Sequence, residues 1–128
     1  QADVVCTVTG SAMPVLHGAW VRPGTHVNLV GSSIPGPVEA DGALVAMSRY
    51  VADYRRSALA AAAEFLAAKQ AGVVDDSHIV GEIGEVLLGR VPGRTNAEQV
   101  TVYKSLGHIV QDLAATAVVH RLATAAAQ

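Results

Sequence analysis

Several short segments carry residue types that could do chemistry. Gly31-Ser32-Ser33 follows an apolar run and precedes the Pro35-Gly36-Pro37 bend, so its backbone can pass close to a ligand while the hydroxyls donate and accept. The same residues also make an ordinary polar turn. Thr7 and Thr9 close the first apolar run, where their hydroxyls either face a ligand ring or cap a strand. Lys104-Ser105 leads into an apolar helical stripe, a junction where backbone amides and a cation can meet an anion, or where a solvated lysine precedes a plain helix cap. The histidines at 17, 26, 78, 108 and 120 never place two ligands on one helical face beside an acidic third, so no metal site is assigned. His26 reads as a packed, hydrogen-bonded histidine rather than a catalytic base, and Cys6 as a small buried apolar residue. Glu82 and Glu85 resemble a carboxylate pair, but a solvated helix face explains them more simply.

The elements that must position these residues follow from hydropathy spacing. Asp3 to Thr9 is an apolar run ended by Gly10-Ser11, which predicts a strand buried on both faces. A chain that opens directly on such a strand reads as part of a longer polypeptide. Thr25 to Val30 predicts a second strand, Asp41 an N-cap for a helix over 42–48, and Tyr50 to Asp53 a third strand ending in a polar residue. Leu59, Ala62, Ala63, Leu66 and Ala67 set a helix over 57–70, with Gly72 at its end. Ser77 then caps a second helix carrying Ile79, Val80, Ile83, Val86 and Leu87, stopped by Gly89. Gln99 to Tyr103 predicts the last strand, and Leu106, Ile109, Val110, Leu113, Val118 and Leu122 a long terminal helix from Ser105 to about Ala126. The alternation predicts an α/β fold, a partial Rossmann-type parallel sheet with flanking helices. Ligands of such sheets bind outside the carboxyl ends of the strands, here Thr7 to Ser11, Gly31 to Ser33, Asp53 and Lys104 to Gly107.

Composition narrows the function classes. The 128 residues are 51% hydrophobic and 16% charged with net charge -2, which fits one domain rather than two. No lysine-arginine run accumulates, so the footprint of a nucleic-acid binder is missing. The lone Cys6 allows no internal disulfide, and a reducing cytoplasm suits it best. The most apolar helical stretch is broken by Glu64 and Lys69, short of the ~20 clean residues a bilayer requires, so a soluble chain with no membrane partner is expected.

Four ordered blocks then carry a resemblance. Gly24-Thr25-His26-Val27-Asn28-Leu29-Val30-Gly31-Ser32-Ser33 with Pro35-Gly36 resembles the centre of the ornithine cyclodeaminase/mu-crystallin family. Ala2-Asp3-Val4-Val5-Cys6-Thr7-Val8-Thr9 is similar to its strand before the nicotinamide site. Glu82-Ile83-Gly84-Glu85-Val86-Leu87, with Gly89 and Pro92-Gly93-Arg94-Thr95, is similar to its late helix and loop. Val100-Thr101-Val102-Tyr103-Lys104-Ser105-Leu106-Gly107, followed by Asp112-Leu113-Ala114-Ala115, is similar to its last strand and helix.

The resemblance implies the carboxyl-terminal part of a Rossmann-type domain over residues 1–128, binding NAD or NADP in a homodimer or higher oligomer that acts on amino acids or cyclic imines. The protein's share of such chemistry is positioning and proton management. Residue by residue, it implies that Thr9 lies near the cofactor, that Val27, Asn28, Leu29 and Val30 line its nicotinamide side, and that Ser105 approaches the carboxamide. Ser33 falls where cyclodeaminases carry a catalytic aspartate. A serine hydroxyl does not hold a proton reversibly near neutral pH, so the resemblance turns toward the imine-reductase and crystallin branch. Pro37-Val38-Glu39-Ala40 departs from the family pattern, which usually has a basic residue after the Pro-Gly bend and a leucine after the glutamate; a missing loop contact is expected there. No G-x-G-x-x-G phosphate loop occurs in these residues, and the half of the fold that would carry it is expected upstream. The alternative is a non-catalytic ligand-binding or self-associating module, or an inactive fragment, derived from such an enzyme.

Overall fold

A computed structural model describes residues 2–126. Five strands, β1 (Val4–Thr7), β2 (His26–Leu29), β3 (Arg49–Ala52), β4 (Ile79–Glu82) and β5 (Thr101–Lys104), form one sheet in the order β1-β2-β5-β3-β4. Every pairing is parallel, with Val27 opposite both Val5 and Val102, and Tyr50 opposite Val102 and Ile79. β5, last in sequence, is inserted between β2 and β3. All carboxyl ends therefore lie along one rim.

The helices are α1 (Gly42–Met47), α2 (Arg55–Ala61), α3 (Ala63–Gln70), α4 (Ile83–Leu87) and α5 (Ile109–Ala126). Asp41 caps α1 as expected, accepting from Leu44 N at 2.9 Å. Alternate residues of β2 and β5, namely Val27, Leu29 and Val102, turn into a core shared with Leu44 and Val45 of α1 and Phe65 and Ala68 of α3. Tyr50 and Phe65 stack there with ring centroids 5.5 Å apart.

Four expectations need correction. Ile79–Glu82 is a strand, not the start of a helix. Ile79 and Gly81 are buried while Val80 and Glu82 are not, a period of two that β-branched residues favour and that pairing with β3 rewards. Leu87, meant to lie on the apolar stripe, is left exposed. The helix over 57–70 is broken at Ala62, whose extended backbone (φ -69, ψ 97) turns α3 so that Ala63, Glu64, Phe65 and Ala68 are buried. β1, outermost among the described strands, is not buried on both faces, and Val4 and Cys6 are exposed. The terminal helix starts at Ile109 instead of Ser105, because Asp53 binds the Leu106 and Gly107 amides and Gly107 takes a φ of 84. No helix among the described residues is long and apolar enough to cross a membrane.

Candidate cofactor crevice at the strand tails

The parallel register delivers the tails of β1, β2, β5 and β3 side by side. Hydrogen bonding continues one step past each strand: Val30 N to Thr7 O at 3.0 Å, Ser105 N to Leu29 O at 3.0 Å and Asp53 N to Lys104 O at 2.9 Å. Beyond that step, two acidic side chains, Asp53 and Glu39, take over from the backbone ladder.

Asp53 organises the β3 and β5 tails. Its Oδ1 accepts from Tyr54 N at 2.7 Å, and its Oδ2 from Leu106 N at 2.7 Å and Gly107 N at 2.8 Å. These amides would otherwise lack partners in a turn that has left the ladder. Ser105 is thereby held half-exposed on the rim.

Glu39 organises the β1 and β2 tails. Its Oε2 accepts from Thr7 Oγ1 at 2.7 Å and Gly31 N at 2.8 Å, and its Oε1 from the Thr9 amide through a short hydrogen bond. Burial pushes this carboxyl up, but the hydrogen bonds from Thr9, Thr7 and Gly31 outweigh it and hold Glu39 below its ordinary range. A Cβ at Gly31 would stand 2.0 Å from Thr9 O and 2.3 Å from Glu39 Oε1, so only glycine permits this approach.

Lys104 and Glu64 lie behind this rim, both fully buried. The ammonium is 3.3 Å from Glu64 Oε2 and donates to Ser32 Oγ at 3.0 Å, while Glu64 Oε1 accepts from Glu39 N at 3.4 Å. Burial drives both partners toward neutrality, raising Glu64 despite the Lys104 charge and lowering Lys104 despite Glu64, Glu39 and Asp53. Tyr50 Oη is buried nearby with no partner among the described residues, and its acidity is suppressed by burial and then by the charges of Glu64 and Asp53.

Thr9 and Val30 are exposed, and Ser33 and Ser105 half-exposed, all on the carboxyl rim. Val27 and Leu29 are fully buried under α1 and α3, so they reach the crevice only through their backbone. Asn28 turns to the opposite sheet face, where its Nδ2 is 3.3 Å from Cys6 Sγ. His26 is half-buried at the other end of β2, with Nδ1 2.8 Å from Thr101 Oγ1, and lines a pocket of ≈ 300 Å³ with Arg94 and Tyr103, away from the rim. Cys6, expected buried, is exposed. Lys104 is not solvated. Glu82 and Glu85 form neither an acid pair nor a solvated face: they cap α4 reciprocally, Glu85 Oε2 accepting from Glu82 N at 2.9 Å, and Glu82 also takes Arg55 N at 2.9 Å.

Sequence reasoning did not assign the roles of Glu39, Glu64 and Asp53. Asp53 was visible as a polar residue at a strand end. Glu39 was visible only as part of a loop departing from a pattern. Glu64 showed itself as a charge interrupting an apolar helix, a signal that equally suits solvent exposure.

A rim built this way presents hydroxyls and backbone from four parallel tails, with a shallow glycine approach between two of them. It suits a ligand with a flat ring and hydrogen-bonding substituents, held at the ends of a parallel sheet.

The model of the ornithine cyclodeaminase/mu-crystallin family matches residues 1–126. Ketimine reductase mu-crystallin of Mus musculus is 39% identical over 119 residues, which are 93% of this chain and 35% of that protein. The structure of the iminosuccinate reductase of Paracoccus denitrificans in complex with NAD+ superposes with a TM-score of 0.88 at 35% identity, covering 98% of this chain and 38% of the other. An archaeal alanine dehydrogenase dimer with bound NAD superposes with a TM-score of 0.86 at 33% identity, covering 98% and 39%. The chain thus spans little more than a third of the length of these relatives. With an all-parallel sheet, a rim of strand tails and a family match over almost every residue, this chain belongs to the ornithine cyclodeaminase/mu-crystallin family.

Proposed function

We propose that the chain is the carboxyl-terminal part of a Rossmann-type domain in an NAD(P)-dependent oxidoreductase acting on amino acids or cyclic imines, on the imine-reduction side of the family. The observation that carries this reading is the likeness, over 98% of the chain, to an iminosuccinate reductase in complex with NAD+ and to an alanine dehydrogenase with bound NAD. The rim fits such a group, since the glycine approach at Gly31 leaves the Thr9 and Val30 tails close together and open. Thr9, the Val30 backbone and Ser105 would hold the nicotinamide end, with Val27, Asn28 and Leu29 supporting that wall from within β2. When bound, the cofactor supplies hydride transfer. The chain's own residues orient it.

Ser33 stands where a general base would be needed for ring-closing deamination. A hydroxyl there can donate and accept a hydrogen bond, but it does not store a proton near neutral pH, which favours simple reduction. The reading includes a reducing cytoplasmic setting, in keeping with a single unpaired cysteine, and a homodimer or higher oligomer.

A titration of the purified chain with NADH and NADPH, following nicotinamide fluorescence beside mass in solution, tests this. Saturable micromolar binding is expected. No binding by a folded oligomer would favour the non-catalytic, self-associating reading.

A further inference from the structure

Glu39 is a fully buried carboxylate whose three side-chain hydrogen-bond donors all come from the tails of β1 and β2. Removing a carboxylate from water costs several kcal/mol unless hydrogen bonds offset it. The main sheet does not depend on these contacts, because the ladder between β1 and β2 is complete with Val30 N on Thr7 O. The bonds to Thr9 N and Gly31 N lie beyond it, in segments with no regular structure of their own. Glu39 is itself anchored, since Val15 N and Leu16 N donate to its carbonyl at 2.9 and 3.0 Å and its own amide donates to Glu64.

These contacts close a ring. Ser32 is held by Lys104 at 3.0 Å, Lys104 faces Glu64 at 3.3 Å, Glu64 accepts from Glu39 N at 3.4 Å, and Glu39 holds Gly31, next to Ser32, at 2.8 Å. The 31–33 turn carrying Ser33 is thus gripped by a carboxylate at Gly31 and by an ammonium at Ser32. We infer that Glu39 is a positioning residue for the nicotinamide end of the crevice: its carboxylate holds the Thr9 and Gly31 tails together as the wall against which the ring is held. This rests on the cofactor reading above and adds the residue that tunes it.

The test compares wild type with Glu39→Gln and with Val45→Ala, a core variant away from the Glu39 ring, by NADH titration and thermal melting of the full-length protein that carries both halves of the domain. Gln keeps the shape but points a donor at one of the amides. Glu39→Gln is expected to raise Kd at least roughly tenfold and to lower the fluorescence yield of the saturated complex. Val45→Ala is expected to lower the melting temperature while leaving both readouts at wild-type values. A merely structural role would shift melting without altering the emission of bound cofactor.

Should Glu39→Gln fail to fold, Thr7→Val carries the test, since it removes one of the three donors at constant shape and is expected to raise Kd about threefold. Wild-type Kd and emission in whichever variant folds would overturn the inference alone, as would equal weakening by Val45→Ala. A folded wild-type protein carrying both halves of the domain that does not bind NADH overturns the cofactor reading and this inference together.

Discussion

The ring behind the strand tails and the terminal helix invert the usual arrangement of a soluble fold. Glu39, Glu64 and Lys104 are fully buried, whereas Ile109, Val110, Leu113, Val118, Val119 and Leu122 of α5 are all exposed, Ile109 at 78%. The charged groups tolerate burial because each has a partner within the chain. The apolar groups stay exposed because α5 lies against no other element closely enough to bury any residue. Burial therefore follows partners rather than hydropathy. A helix that is apolar on most sides gains stability only where another surface covers it.

The sharpest way to break this contrast is to remove a partner from the ring. Lys104→Met leaves Glu64 buried without its cation and is expected to cost about 3–5 kcal/mol in urea denaturation. Lys104→Met with Glu64→Leu is expected to recover most of that loss; a double variant as weak as the single one would mean that the pair itself stabilises the fold.

A second test uses pH. The folded-state pKa of Glu39 lies below its ordinary value, so its hydrogen bonds contribute stability above that value, and the contribution is lost as pH falls through the folded pKa. The stability gap between wild type and Glu39→Gln should narrow as pH is lowered from 7 through the acidic range. A gap constant with pH would remove the charge from the account.

The smallest effect is expected on the other side of the comparison. Leu113→Ala in α5 should change unfolding free energy by no more than about 0.5 kcal/mol, while Leu44→Ala in the core should cost about 2–5 kcal/mol. A large loss for Leu113→Ala, appearing only at high protein concentration, would identify α5 as a contact between copies.

These contrasts separate what was legible in the chain from what was not. The α/β alternation, β2, α1 with its Asp41 cap, β3, β5 and the existence of a terminal helix could be read from local spacing and turn residues. β4 was misread because Ile79, Ile83 and Val86 fit a helical stripe as well as a strand leading into a short helix, and only pairing with β3 separates the two. The rim could be read as a set of strand ends. Its internal wiring could not, because Glu39 meets Thr7 at a separation of 32 residues and Lys104 meets Ser32 at 72.

By itself the sequence determined the parallel α/β class, the family and the segments that form the rim, since hydropathy period, turn chemistry and block order are local properties of the chain. Tertiary structure alone decided that β5 enters between β2 and β3 and that two glutamates and a lysine are buried. Those outcomes depend on which distant residues meet, and a charged side chain carries no local mark of the partner that will allow it to be buried.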